Sequence, residues 1–241
     1  MMLIAVISVY SQAPTAAELL RKVDSNEIFA TIRYDGEMII EHGRRHIVKT
    51  MKAWGRGNND SFIEFTNRED IGTRYLKTNG EFWMTSQDIE TEEQISGHLL
   101  RNWMGSDFSY EETIENETLV SRYDPVITGS EVLEGREAWV LELSARNPKT
   151  ENYPKRKLWI DKENGDLLRY ELFALSGTKL MEYTMRRVEL IGGRRFPVES
   201  EMRDLLRRNS RTTFVMRNVV LDKPIADAVF TRRNLRNPVD N

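Results

Sequence analysis

The strongest constraint on this chain is its punctuation. From residue 28 to residue 221, runs of alternating apolar and polar residues are separated by short breaks rich in glycine and asparagine. His42-Gly43 parts Ile28–Glu41 from Arg44–Trp54, and Ser61–Thr66 follows. Thr78-Asn79-Gly80 parts Thr73–Lys77 from Glu81–Thr85. Glu134-Gly135 joins Val126–Leu133 to Arg136–Ala145, and Glu163-Asn164-Gly165 joins Tyr153–Asp161 to Asp166–Ala174. Ser176-Gly177 then leads into Thr178–Leu190, Gly192-Gly193 into Arg194–Asp204, and Arg211–Leu221 closes the series. Gly and Asn reach the positive φ that tight antiparallel connections demand, and Asn-Gly is among the strongest hairpin signals. The spacing therefore predicts a long antiparallel meander of roughly a dozen strands. A sheet that wide twists and coils. There is no strand–helix–strand alternation and no Gly-rich phosphate loop, which argues against a nucleotide-binding α/β fold.

Two stretches break the rhythm. Thr15-Ala-Ala-Glu18 has the form of a capping box, and Leu19, Leu20 and Val23 follow at helical spacing, which predicts an amphipathic helix over 15–25. Between Gln94 and Thr113, Leu99, Leu100, Trp103 and Met104 fall on one helical face. Gly105 can stop that helix, Ser109 with Glu112 can open a second, and Phe108 and Tyr110 add aromatic weight at the junction. A helical, aromatic insert between runs of strands is suited to covering the concave face of a sheet. Two readings stand: the insert completes the core, or it is a movable cover over an apolar ligand. Strand alternation places Met38, Ile40, Met51 and Trp83 opposite it from the first half, and Trp139, Leu141, Leu158 and Tyr170 from the second. No Pro/Ser/Gly-rich linker divides the chain, and the polar stretch 147–152 lies between strands that should pair. The expected fold is mainly β: a large antiparallel sheet curved into a half-open barrel, with an N-terminal helix and a central helical insert over its concave face. Residues 14–241 then form one domain, and residues 1–13 are the remnant of a signal peptide.

That last expectation rests on Met2–Tyr10, an uncharged apolar run followed by Ser11-Gln-Ala13. It resembles the apolar part and small-x-small cleavage site of a secretory signal, although no basic residue precedes it. It is too short to span a bilayer as a helix; the other reading is a first buried strand. With export, the mature chain begins between Gln12 and Thr15.

The chain contains no cysteine, which excludes disulfides, cysteine nucleophiles and thiolate metal sites. Lys+Arg 35 against Asp+Glu 38 leaves a net charge of −3 and no basic footprint for nucleic acid. Charged residues at 30% and a mean hydropathy of −0.55 describe a well-solvated exterior. His42 and His46 flank an Arg-rich turn and read as solvated. His98, with Asp107 and Glu111 nearby, lacks the HExxH form of a metal site. Asp107, Glu111 and Glu112 read as helix N-terminal residues favoured by the macrodipole. No G-x-S-x-G elbow is present. The expectation is a protein without catalytic residues, metal or cofactor, not an enzyme. The run Arg203–Arg211 reads as a solvated hairpin end, with docking to an acidic partner or to anionic lipid headgroups as the alternative.

One motif is more specific than these patterns: Gly105-Ser-Asp-Phe-Ser-Tyr-Glu111, preceded by Ile95-Ser-Gly-His-Leu-Leu-Arg101. With Lys49–Trp54, Gly72-Thr73, Phe82-Trp83, Gly135–Leu143, Lys157–Asp161 and Val229-Phe-Thr231, it resembles the LolA-like family of outer-membrane lipoprotein-sorting proteins, in the branch carrying this motif. The resemblance runs from about Thr15 to Leu235. It implies a half-open barrel plugged by helices, a periplasmic location and the handling of acyl chains. The expected function is a soluble periplasmic carrier or chaperone that binds lipoprotein acyl chains or other lipids for transfer toward the outer membrane. Its partners would be an inner-membrane exporter and an outer-membrane acceptor, with no nucleic acid, and the carrier would be a monomer. The alternative is a lipid- or lipoprotein-sensing signalling module associated with a membrane exporter. No cysteine follows the apolar N-terminus, so a lipobox is absent. The expected ligand wall comprises the insert residues Leu99, Leu100, Trp103, Met104, Phe108 and Tyr110, and the eight sheet residues opposite.

Overall fold

Thr15 opens the first helix as its sequence predicts: its Oγ1 accepts from Glu18 N at 3.2 Å while the Glu18 carboxylate accepts from Thr15 N at 2.8 Å. The computed structural model describes residues 13–57, 59–87, 91–96, 103–109 and 118–238. The expected signal segment therefore lies outside the described residues, apart from Ala13. Helix α1 (Ala16–Glu27) buries Leu19, Leu20 and Val23 against Tyr123, Leu141, Leu143, Leu158 and Ile160.

Thirteen strands are described: β1 (Thr31–His42), β2 (Arg45–Arg56), β3 (Asp60–Phe65), β4 (Arg74–Thr78), β5 (Glu81–Thr85), β6 (Glu93–Ile95), β7 (Tyr123–Leu133), β8 (Arg136–Ala145), β9 (Lys155–Asp161), β10 (Leu167–Phe173), β11 (Lys179–Ile191), β12 (Arg194–Asp204) and β13 (Ser210–Leu221). They form one antiparallel sheet in the order β6-β5-β4-β3-β2-β1-β13-β12-β11-β10-β9-β8-β7. The expected hairpins form, and Asn79 (φ 52°) with Gly80 (φ 76°) takes the left-handed conformation that an Asn-Gly turn requires.

The chain is not one continuous meander, however. Two meanders, β1–β6 and β7–β13, are joined by pairing of the first strand with the last, Met38 opposite Phe214 and His42 opposite Ser210. Register breaks between Arg33 and Asp35, Ile127 and Gly129, and Met185 and Arg187 bend the strands, and the sheet is curved. It is not closed into a barrel: β6 and β7 stand at opposite edges. Strand β6, with three residues, is too short to have been read from alternation.

The topology has a direct consequence. Strands β6 and β7 are consecutive along the chain yet lie at the two edges, joined by the segment 96–122. Its described middle, residues 103–109, lies on the concave face as a strap. Only the end of the expected first helix lies among the described residues, and there the chain turns where Gly105 was expected to stop it. Trp103–Gly105 make a single 3-10 turn in which Met104 (φ 52°) and Gly105 (φ 82°) are left-handed, so the chain reverses instead of continuing a helix. Leu99, Leu100, Tyr110 and the second helix expected up to Glu112 lie outside the described residues. The segment ends in a short helix, α2 (Leu119–Arg122), whose N-cap Thr118 makes no side-chain cap hydrogen bond.

The opposite face of β3–β5 is also apolar. It is covered by the C-terminal segment, a 3-10 turn (Asp227–Phe230) and helix α3 (Arg232–Arg236), whose Val229, Phe230 and Leu235 pack on Phe62 and Leu76.

Candidate functional site

The strap is held by its own turn and by β13. Trp103 N donates to Phe108 O at 2.9 Å, and Ser106 N to Trp103 O at 2.9 Å. The Asp107 carboxylate is buried and accepts hydrogen bonds from the hydroxyls of Ser210 and Thr212, the latter at 3.1 Å. Asp107 N donates to Thr212 Oγ1 at 2.9 Å. Arg207 adds its guanidinium, 3.5 Å from the same carboxylate and 3.2 Å from Ser106 O. Burial pushes the Asp107 carboxyl above the usual carboxylate range, while Ser210, Thr212 and Arg207 pull it back only in part. Asp107 is thus a strap anchor and not a helix N-terminal residue, because the chain around it is a turn.

These bonds press aromatic rings into the sheet. Trp103, 2% exposed, meets Phe65 at 5.6 Å and Tyr75 at 6.1 Å between ring centroids, and Phe108 meets Phe214 at 5.9 Å. Tyr75 Oη lies 3.0 Å from Met104 Sδ. At its far end the strap is tied to α1: Asp24 accepts from Leu119 N at 3.0 Å and from Val120 N at 3.2 Å, capping α2 from another helix. Burial raises the Asp24 carboxyl, and the two amides with nearby Arg156 counter it.

Between strap, α1 and sheet lies a cavity of about 340 Å³. Its walls come from both meanders: Ile32, Tyr34 and Ile63 from the first, and Leu158, Tyr170, Leu172, Tyr183, Phe196, Phe214 and Met216 from the second, with Phe29 from the link between α1 and β1. Trp103 and Phe108 reach it from the strap, and Leu119 from α2. Tyr170 and Tyr183, register partners on β10 and β11, stack at 4.4 Å with planes 3° apart. Tyr34 sits edge-on to Phe214 at 6.0 Å, and burial raises its hydroxyl pKa. A few polar groups interrupt the apolar wall, among them Asp24, Ser200 and Arg156, whose Nε donates to Tyr123 Oη at 2.8 Å. This is the make-up of a small-molecule site: concave, mostly apolar, and near the lower end of the usual size range.

The residues singled out from the sequence divide accordingly. Trp103, Phe108, Leu158 and Tyr170 line the cavity. Met38, Ile40 and Met51 are buried in the core beneath the strap, and Met104 packs half-buried against that core. Leu141 is buried under α1; Trp139 is half-buried beside it, with the Lys162 ammonium 4.5 Å from its ring. Trp83 lies on the other face, paired with Leu76 in the C-terminal cluster and covered by the Arg232 guanidinium at 3.7 Å. Alternation along β5 put Trp83 and Met84 on opposite faces; because both faces are apolar, it could not say which was concave. Tyr34 was missed although it continues the alternation of Met38 and Ile40 backward through Gly36. Phe214 and Met216 follow the same rule on β13.

Among the described residues no group of three His, Asp or Glu is placed to hold a metal ion, and no helix is long and apolar enough to cross a membrane.

The architecture recurs in solved structures. A DUF1329 family protein from Desulfovibrio piger is 21% identical, with a TM-score of 0.81 over 91% of this chain and 97% of that one. A domain classed as an outer membrane lipoprotein-sorting protein, from Vibrio parahaemolyticus, is 18% identical, with a TM-score of 0.78 over 92% and 98%. A LolA superfamily protein from Nitrosomonas europaea is 18% identical, with a TM-score of 0.73 over 91% and 98%. At these identities the likeness is one of fold, and the fold is LolA-like. No curated protein matches the chain in sequence. Residues 57–237, more than half of the chain, match the model of a family described as uncharacterized protein, and the chain belongs to that family.

Proposed function

We propose that the protein is a periplasmic carrier that shelters an acyl chain, of a lipoprotein or of another lipid, in the cavity between strap and sheet. The observation that carries this reading is the cavity itself: a curved sheet whose concave face is lined by aromatic and aliphatic side chains and left partly unfilled by α1 and the strap. Energetics favour this kind of wall. Each buried CH₂ is worth about 0.8 kcal/mol, so moving a 16-carbon chain out of a membrane forfeits roughly 12 kcal/mol that the protein must largely restore. Stacked tyrosines, phenylalanines and methionine restore it without fixing one shape, and Met216 on the wall adapts to chains of different length. Transfer toward the outer membrane, with a membrane exporter as donor, belongs to the same reading, which the lipoprotein-sorting fold relatives support.

Mass spectrometry of organic extracts of the purified protein tests it. Recovery of acyl lipids above a control protein is expected, with displacement by a fluorescent fatty acid. The half-buried Tyr170→Ala variant should remain folded and bind that probe about tenfold less tightly, given the ~1–2 kcal/mol that an aromatic wall contact contributes. Repeated recovery of no lipid, with no binding of the probe, would overturn the proposal.

A further inference from the structure

We infer that one end of the sheet is a docking surface for anionic phospholipid membranes, built from the β1–β2 and β12–β13 hairpin tips. The two tips are far apart in sequence yet fastened together: Gly43 N donates to Asn209 O at 3.1 Å. Nearly every arginine in the body of the sheet is matched to a carboxylate, as Arg74 is to Glu64, Arg169 to Glu182 and Arg195 to Asp166. Arg44, Arg45 and Arg208, exposed on these tips, have no ion-pair partner among the described residues. The nearby carboxylates are already engaged. Glu41 is held by Arg211, Asp107 lies buried against Ser210 and Thr212, and Asp204 accepts from Leu206 N at 2.9 Å.

The same tip exposes leucine. Leu206 is 72% and Leu205 43% exposed, carried at the head of a tight turn, and the neighbouring β10–β11 turn adds Leu175 at 62%. Leu205 N bonds Leu180 O at the start of β11, which places these two turns side by side. A solvated hairpin end has no use for two protruding leucines, and an acidic protein partner would call for the arginines alone. Unpaired cations ringing apolar tips match a bilayer surface, where the cations meet headgroup phosphates and the leucines enter the boundary beneath. This surface is separate from the cavity and does not depend on what the cavity holds. Arg207, between Leu206 and Arg208, turns inward to the carbonyls of Gly105 and Ser106, so the strap is tied to the turn that meets the membrane.

Co-sedimentation of the full chain with vesicles tests this. Binding is expected to vesicles of equal parts phosphatidylglycerol and phosphatidylcholine, not to phosphatidylcholine alone, and should weaken with added salt. The triple variant Arg44→Gln, Arg45→Gln, Arg208→Gln should lose on the order of 100-fold in partition, since each surface cation contributes about a factor of five. Leu205→Ser with Leu206→Ser should lose about tenfold or more, with melting temperature unchanged because both side chains are solvent-exposed. Arg233→Gln, on the distant C-terminal helix, should bind as the wild type does. Absence of binding to the anionic vesicles overturns the inference. So does binding that the leucine variant leaves intact while soluble polyglutamate abolishes it, which would mark an acidic protein as the partner.

Discussion

Replacing Asp107 with alanine should release the strap without unfolding the sheet. The structure sets the magnitude. The carboxylate receives two hydroxyl hydrogen bonds, from Ser210 and Thr212, and a hydrogen bond to a charged group contributes about 1.5–3 kcal/mol. Arg207, only partly buried at 3.5 Å, adds at most about 1 kcal/mol. Against this stands the cost of burying the charge, which is why the carboxyl is raised. The main-chain bond from Asp107 N to Thr212 Oγ1 survives the substitution. A net loss of about 2–4 kcal/mol results, and it falls on a local structure. Hydrogen exchange with mass spectrometry reads it directly: the amides of Trp103 and Ser106, which close the strap turn, should exchange on the order of 30- to 1000-fold faster. Amides of β8 and β9 should be unchanged. A raised carboxyl favours the protonated form in the folded state. The Asp107 contribution is therefore full below the unfolded carboxylate pKa and declines as pH rises through the folded value, so the strap is tightest in mild acid. Asp107→Asn should flatten that dependence. Faster exchange spread equally over strap and sheet would refute the reasoning and make Asp107 an ordinary part of the core.

Three further outcomes follow from named contacts. Trp103→Ala should cost about 3–5 kcal/mol in urea unfolding, because the ring packs on Phe65 and Tyr75, and the folded fraction should also bind a fluorescent fatty acid less well; a lowered melting temperature with binding intact would remove Trp103 from the ligand wall. Asp166→Asn should cost about 2–4 kcal/mol near neutral pH, since the buried carboxylate joins Arg195 and Arg136, both themselves partly exposed. Burial pushes the Asp166 carboxyl up, but the two arginines outweigh it and hold it below the usual range, so this stabilisation is present above the unfolded carboxylate pKa and fades as pH falls through the folded one; urea melts of both proteins should converge in strong acid. Asp24→Ala should cost about 0.5–2 kcal/mol and speed exchange at the Leu119 and Val120 amides, which lose the cap acceptor that α1 supplies.

Much of the fold was legible because it is local. The capping box of α1 and the Gly- or Asn-bearing hairpins are decided by a few adjacent residues, and strands 81–85, 136–145 and 194–204 run as alternation and turn chemistry require. Leu158 and Tyr170 were placed on the concave face for the same reason, as was the α1 face that buries Leu19, Leu20 and Val23. The strap itself was visible as a break in rhythm, but within its described residues Trp103–Gly105 form a 3-10 turn where the end of a helix was expected. Apolar residues at helical spacing fit a turn equally well when the next residues, Met104 and Gly105, turn left-handed.

The tertiary structure alone decided the rest. Pairing β1 with β13 joins residues such as Glu41 and Arg211, 170 positions apart, and nothing in either strand names the other. That pairing sends β6 and β7 to opposite edges, and the described middle of their connection, residues 103–109, lies as a strap on the concave face. It also settles which face is concave, and so why Trp83 supports the C-terminal helix while Tyr34 and Phe214 face the cavity. Alternation says that neighbouring side chains point oppositely; only the curvature of the finished sheet says which of them point inward.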